Sequence, residues 1–208
     1  MAISSLSKLG VPLSGNQSAS NQGLLMPKLQ YRFRVLFQNF GVSKPTTELT
    51  KQVMSATRPS PEFDEITLDV YNSRIKMAGK PKWGDMTVVV RDDVSGAVSK
   101  LVGEQVQKQF DFFEQSSAAS GIDYKFTTLV ELLDGGNGAN EAVVLETFEV
   151  YGCYVSKAEY KQGDYKANDP MDITLTIKYD NALQVNTAGQ PVGIGAAIGR
   201  TVRTLATG

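Results

Sequence analysis

A chain of 208 residues accommodates one domain with arms and is short for two. Its 41% hydrophobic and 21% charged residues are those of an ordinary globular protein, which argues against wholesale disorder and against a membrane class. One cysteine, Cys153, and no histidine exclude an intrachain disulfide and most zinc, haem and iron–sulfur sites, and they remove the commonest general base. The net charge of −1 hides an uneven distribution. Residues 1–61 carry seven bases against Glu48 alone, and residues 181–208 add Arg200 and Arg203, whereas residues 62–180 hold twelve bases against twenty-one acids. Basic ends on an acidic centre suit head-to-tail stacking of one copy on the next, although charge alone equally fits solvated basic ends.

Met1–Pro27 is rich in Ser, Gly, Asn and Gln without a sustained period, and it reads as an arm that orders only against a neighbour. It lacks the apolar core of a secretory signal, and no run approaches the roughly 20 apolar residues of a spanning helix. Tyr31–Gln38 is the first clear strand, with Tyr31, Phe33, Val35 and Phe37 on one face. Asn39–Thr50 reads as a loop, and Lys51–Thr57 as a weaker strand stopped by Pro59 and Pro61. From Glu65, Ile66, Leu68 and Val70 alternate with Thr67, Asp69 and Tyr71, the period of a strand with one buried face. Gly79-Lys80-Pro81 is expected to break the pattern, and Asp85–Arg91 resumes it.

Val94, Val98, Leu101, Val102, Val106, Phe110 and Phe113 recur at spacings of three and four, predicting an amphipathic helix with Asp92 and Asp93 as capping candidates. Gln115–Gly121 reads as a loop. Tyr124–Leu133 and Ala142–Val155 read as strands on either side of a loop containing Asp134-Gly135 and Asn137-Gly138. Cys153 falls in a β-rich run as a small apolar side chain. Asp172–Asp180 gives the cleanest alternation, with Ile173, Leu175, Ile177 and Tyr179 on one side. The pattern predicts a mainly β chain: a β-sandwich or partly closed barrel with one flanking helix and extended N- and C-terminal arms, divided as residues 1–27, 28–180 and 181–208.

Chemistry-bearing patterns are weak. Gly135–Asn140 lacks the ending of a phosphate-binding loop, and Gly193–Arg200 has no following βαβ unit. The acid pairs Asp64/Glu65, Asp92/Asp93 and Asp169/Asp172 are explained by chance, a helix cap and a turn more cheaply than by catalysis. Strand alternation places Arg32 and Arg34 opposite Tyr31 and Phe33, so those aromatics read as core rather than as stacking platforms for bases. No enzyme activity and no cofactor are expected.

The unit Asn72–Asp93, an NSRI-x-x-AG turn followed by WGDMTVVVRDD, together with Tyr165–Tyr179, resembles the tail tube protein of contractile-tailed bacteriophages. The order of the intervening elements supports the resemblance, which covers Lys28 to Asp180; the long, low-acid ends depart from compact members. The resemblance implies a structural subunit whose hexameric rings stack into a tube conducting DNA, with six copies closing one cylinder of about 24 strands. At ~4.8 Å spacing and a tilt of about 40°, the circumference is about 150 Å and the clear bore about 38 Å, enough for a duplex. A lumen rich in bases would brake DNA, so a neutral to acidic wall is expected. Glu65, Thr67, Asp69 and Thr87 are the lumen candidates. Arg74, Lys76 and Arg91 are expected to pair across subunits, and Lys44 and Glu48, in the Asn39–Thr50 loop, to join ring to ring. Implied partners are further copies of the chain, tail sheath, baseplate and tail terminator proteins, and passing double-stranded DNA bound without specificity, with no membrane insertion. The implied location is the virion tail, assembled in the host cytoplasm. Two alternatives stay open: the inner tube of a type VI secretion system or phage-like particle, and a monomeric nucleic-acid-binding β-barrel.

Overall fold

A computed structural model describes residues 27–43, 46–135 and 142–197. The proposed arm before Pro27, Lys44, the tip of the glycine-rich loop and Arg200 and Arg203 lie outside the described residues. By internal contacts the chain divides at Arg32, and Phe33 begins the β unit described here.

The elements run β1 (Phe33–Gln38), α1 (Thr47–Lys51), β2 (Val53–Ala56), β3 (Pro61–Val70), β4 (Ser73–Trp83), β5 (Met86–Arg91) and α2 (Ala97–Gln109). They continue with β6 (Phe110–Asp111), β7 (Ser116–Ser117), α3 (Gly121–Tyr124), β8 (Phe126–Leu133), β9 (Val144–Tyr160), β10 (Asp172–Lys178) and β11 (Asn181–Val185). Seven strands form one antiparallel sheet in the order β1-β8-β9-β10-β5-β2, with β11 also on β9. The 17-residue β9 serves both halves: its first part pairs with β8 and β11, and from Tyr154 onward it pairs with β10. The sheet folds over as a sandwich and is not closed into a barrel; the edge strands β1 and β2 approach without pairing.

The alternation of β5, β10 and β8 sends Met86, Val88, Val90, Ile173, Leu175, Ile177, Phe126 and Val130 into one core. Phe37, Phe40 and Phe126 add tilted and edge-on ring contacts at 4.9–6.4 Å. Val98, Leu101 and Val102 of α2 close this core. Gln105, fully buried on the same helix, accepts from the Gly41 N–H at 2.9 Å and donates to the Tyr124 carbonyl at 2.7 Å, so its burial is compensated.

Several expectations are corrected. The helix is shorter than its apolar period: Val94 precedes it and is fully exposed, and Phe110 and Phe113 follow it in the β6–β7 hairpin and its turn. Its first residue is preceded by Gly96 at φ 69°, while Asp93 reaches forward to accept from the Val98 N–H at 3.2 Å. Two short helices, α1 and α3, occupy segments that read as loop and strand. Tyr31 lies outside β1 and is exposed. Asn181–Val185 is a strand on β9 instead of the start of an arm, because Ala182 and Val185 fill the core. Gly79-Lys80-Pro81 does not interrupt β4. The strand passes through with a bulge against Asp64, tolerated because Gly79 has no β-carbon to meet the Asp64 carbonyl 2.9 Å away and because Pro81 sits on a two-stranded ribbon with open edges.

Candidate functional site

β3 and β4 form a separate two-stranded sheet. Below it, Thr57 donates to Thr87 at 2.9 Å and Gly84 to Ser60 at 3.0 Å, linking the ribbon to the β2–β5 pair of the main sheet. The ten residues of β3 give an arm about 34 Å long. Its root is anchored where Trp83 packs on Tyr179, ring centroids 5.6 Å apart. Almost every residue of the arm is exposed, so the buried face expected for Ile66, Leu68 and Val70 is not buried within one chain.

The arm is sharply amphipathic and changes sides at the bulge. The register sets Ile66 opposite Met77, Leu68 opposite Ile75 and Val70 opposite Ser73. Strand alternation therefore gathers five apolar side chains on one face, each 45–48% exposed. The other face of this outer half carries Glu65, Thr67, Asp69, Arg74 and Lys76. Below the bulge the order is inverted: Phe63 and Pro81 pair on the side that is polar further out, whereas Asp64 and Lys82 form a 2.7 Å ion pair on the other.

Three of the four lumen candidates, Glu65, Thr67 and Asp69, thus share one face. Thr87 lies in the main sheet, where its N–H donates to the Thr57 hydroxyl at 2.8 Å. Arg74 donates to Asp69 at 2.8 Å, Lys76 to Glu65 at 3.0 Å and Thr67 to Glu65 at 3.1 Å, so the chain pairs these charges within one ribbon. Residues 61–83 hold four acids and four bases, leaving the arm without net charge. Arg91 is exposed at the end of β5 opposite Asp172. Glu48 belongs to α1, and Lys44 lies outside the described residues.

That segment is fastened to α2. One Glu104 oxygen accepts the N–H groups of Val42 and Ser43 at 2.9 and 2.7 Å, and the other accepts the Ser43 hydroxyl at 2.5 Å. The hydroxyl first, then the two amides, hold the Glu104 carboxyl down at about 2. Val42 is left exposed on the surface of this clasp. Sequence reading missed the clasp, since nothing in the spacing joins Glu104 to Ser43. It also missed an apolar surface around Phe110, Phe112 and Tyr160, for which the run Phe110-Asp111-Phe112-Phe113 was the available signal.

Among the described residues no three His, Cys, Asp or Glu side chains gather in a metal-holding group, and no helix is long and apolar enough to cross a membrane. Cys153 is buried, and desolvation pushes its thiol up to about 11.

No family model and no curated protein matches the chain. Solved structures do match in fold. A chain of the anti-feeding prophage tube-terminating cap gives a TM-score of 0.58 at 16% identity over 83% of this chain and 99% of that one. A chain of the anti-feeding prophage baseplate gives 0.57 at 12% identity over 79% and 99%. A chain from the sheath–tube complex of an extracellular contractile injection system gives 0.54 at 17% identity over 77% and 92%. The resemblance read from the sequence is borne out as a fold: the matched chains come from contractile injection particles, their baseplate, tube-terminating cap and sheath–tube complex.

Proposed function

We propose that this chain is the subunit of a tube in a contractile injection apparatus, with a structural and not a catalytic role. The observation that carries the proposal is the β3–β4 arm. A two-stranded ribbon is marginal in water by itself. Among the described residues this one has two open edges and an uncovered apolar face, features that soluble proteins cover or blunt. Edge-to-edge pairing of the arms of several copies satisfies the backbone, and closure into a ring leaves no edge for aggregation. Six copies, stacked ring on ring, is the form the sequence resemblance implies. Sheath, baseplate and terminator proteins are its proposed neighbours in a phage tail.

In that arrangement Glu65, Thr67, Asp69, Arg74 and Lys76 face the bore. Their mutual ion pairs give a polar wall with no net charge, which neither attracts nor repels a polyanion strongly. This suits a conduit for double-stranded DNA. The second reading is the inner tube of a phage-like contractile particle, which would carry protein; the fold neighbours from an anti-feeding prophage and an extracellular contractile injection system favour that kind of particle. A monomeric nucleic-acid-binding barrel fits less well, because the described arm is neutral and the sheet is open.

The test is negative-stain electron microscopy of the full chain, purified and concentrated. Hollow rings or tubes with six-fold end views are expected. A chain that stays monomeric at every concentration and never joins a tube supplied by its sheath and baseplate partners overturns the proposal. Nuclease-protected DNA within recovered particles separates the two cargo readings.

A further inference from the structure

Resting on the tube-subunit reading, the structure also points to what covers the outer half of the arm. We infer that the apolar face formed by Ile66, Leu68, Val70, Ile75 and Met77 docks, in a second copy of this chain, into the groove between the end of α2 and β9. Val106, Phe110, Phe112, Val155, Ala158 and Tyr160 form the apolar part of its lining, beside Gln109, Ser156 and Lys157.

The described body of the same chain leaves this face 45–48% exposed, and the switch of polarity at the bulge accounts for that. Near the root, Trp83 packs against Tyr179 of the same chain, and the strand pattern places Phe63 and Pro81 on one side of the ribbon. Beyond Asp64 that side becomes charged and the opposite side becomes apolar, so the outer half presents its apolar face away from the side used at the root. The groove has a matching deficit. Phe112 and Tyr160 are 61% and 56% exposed, and Phe110 stacks edge-on against Phe112 at 5.2 Å without being covered. Five half-exposed aliphatic side chains amount to about 400 Å², the size of the largest apolar patch on a typical monomer, which is often a functional surface.

A second copy is the occupant because each chain carries both surfaces, and among the described residues both stay exposed. Contact between different patches of identical chains is heterologous, and it propagates around a ring. It also reinforces edge pairing of neighbouring arms: the edges supply hydrogen bonds, and the groove supplies apolar burial and register.

The test uses the full chain with Leu68→Cys and Phe112→Cys under mild oxidation. Cys153 is buried and contributes no background. The two single variants, mixed, are expected to lose monomer to a covalent dimer, and the double variant to give a ladder of multimers, while each single variant alone stays monomeric on a denaturing gel. Leu68→Asp is expected to raise the concentration needed for assembly at least tenfold with Tm unchanged. Rings that form normally but yield no cross-link overturn this inference and leave the tube reading standing. So does self-linking of the Leu68→Cys variant, which would place arm on arm, or an intrachain link in the double variant. A wild-type chain that never assembles, even with its sheath and baseplate partners, overturns both.

Discussion

The Asp180 carboxylate occupies the space that a β-carbon on Gly152 would need. Gly152 has φ 68° and lies at the point where β9 passes from its β8 and β11 partners to β10. Asp180 is fixed there by Lys125 at 2.5 Å and by its own N–H donating to the Tyr151 carbonyl at 3.0 Å. One glycine therefore lets the long strand turn between the two halves of the sandwich.

Gly152→Ala is expected to destabilise the chain by about 1–3 kcal/mol, from left-handed strain together with displacement of Asp180. Adding Asp180→Ala should recover part of the loss, since it removes the clash and leaves the strain. Urea denaturation of the monomer measures both. A Gly152→Ala chain as stable as wild type would mean that β9 does not turn here.

Glu104 gives stability a dependence on acid. Its folded value of about 2 lies below the ordinary 4.5, so the clasp on Val42 and Ser43 contributes fully above about pH 4.5 and is lost as pH falls toward 2. Glu104→Gln should cost about 1–2 kcal/mol at pH 7 and flatten the stability profile across that acid window. Equal loss at pH 7 and pH 3 would show that the carboxylate charge is not what holds the loop.

The strands whose side chains alternate between core and solvent, β5, β8 and β10, were legible because burial on one face writes a period of two into the sequence. The same rule misled for β3. Ile66, Leu68 and Val70 carry the signature of burial but stay half-exposed among the described residues, and a pattern of two does not say what would cover the face it marks. The ends of α2 were overextended because Val94, Phe110 and Phe113 continue its period by position while belonging to flanking turns. β11 escaped notice since five residues with one strongly apolar pair look like any polar tail. Of the site, the shared face of Glu65, Thr67 and Asp69 was readable from alternation. Their pairing with Lys76 and Arg74 depends on the hairpin register, which a turn followed by a bulge conceals.

Cys153 should be inert in the folded chain. With no exposure and a thiol pushed up to about 11, it is expected to resist a disulfide reagent at pH 8 and to react at once in urea. The rate of labelling then reports opening of the sandwich. Rapid stoichiometric labelling under native conditions would contradict the burial.

The paired charges of the arm make a prediction about transport that differs from simple neutralisation of acids. Glu65→Gln with Asp69→Asn removes two negative charges and strands Lys76 and Arg74, so each copy presents two unpaired cations to the proposed bore. Assembled tubes carrying both changes should gain salt-dependent affinity for double-stranded DNA and, in a phage, eject it more slowly at low salt than at high. Restoring balance with Arg74→Gln and Lys76→Gln should return both properties to wild type. Because these ion pairs are exposed and each contributes little to stability, ring formation should survive all four changes. If the doubly neutralised tube binds DNA no better than wild type at low salt, the polar face of the arm does not line the bore.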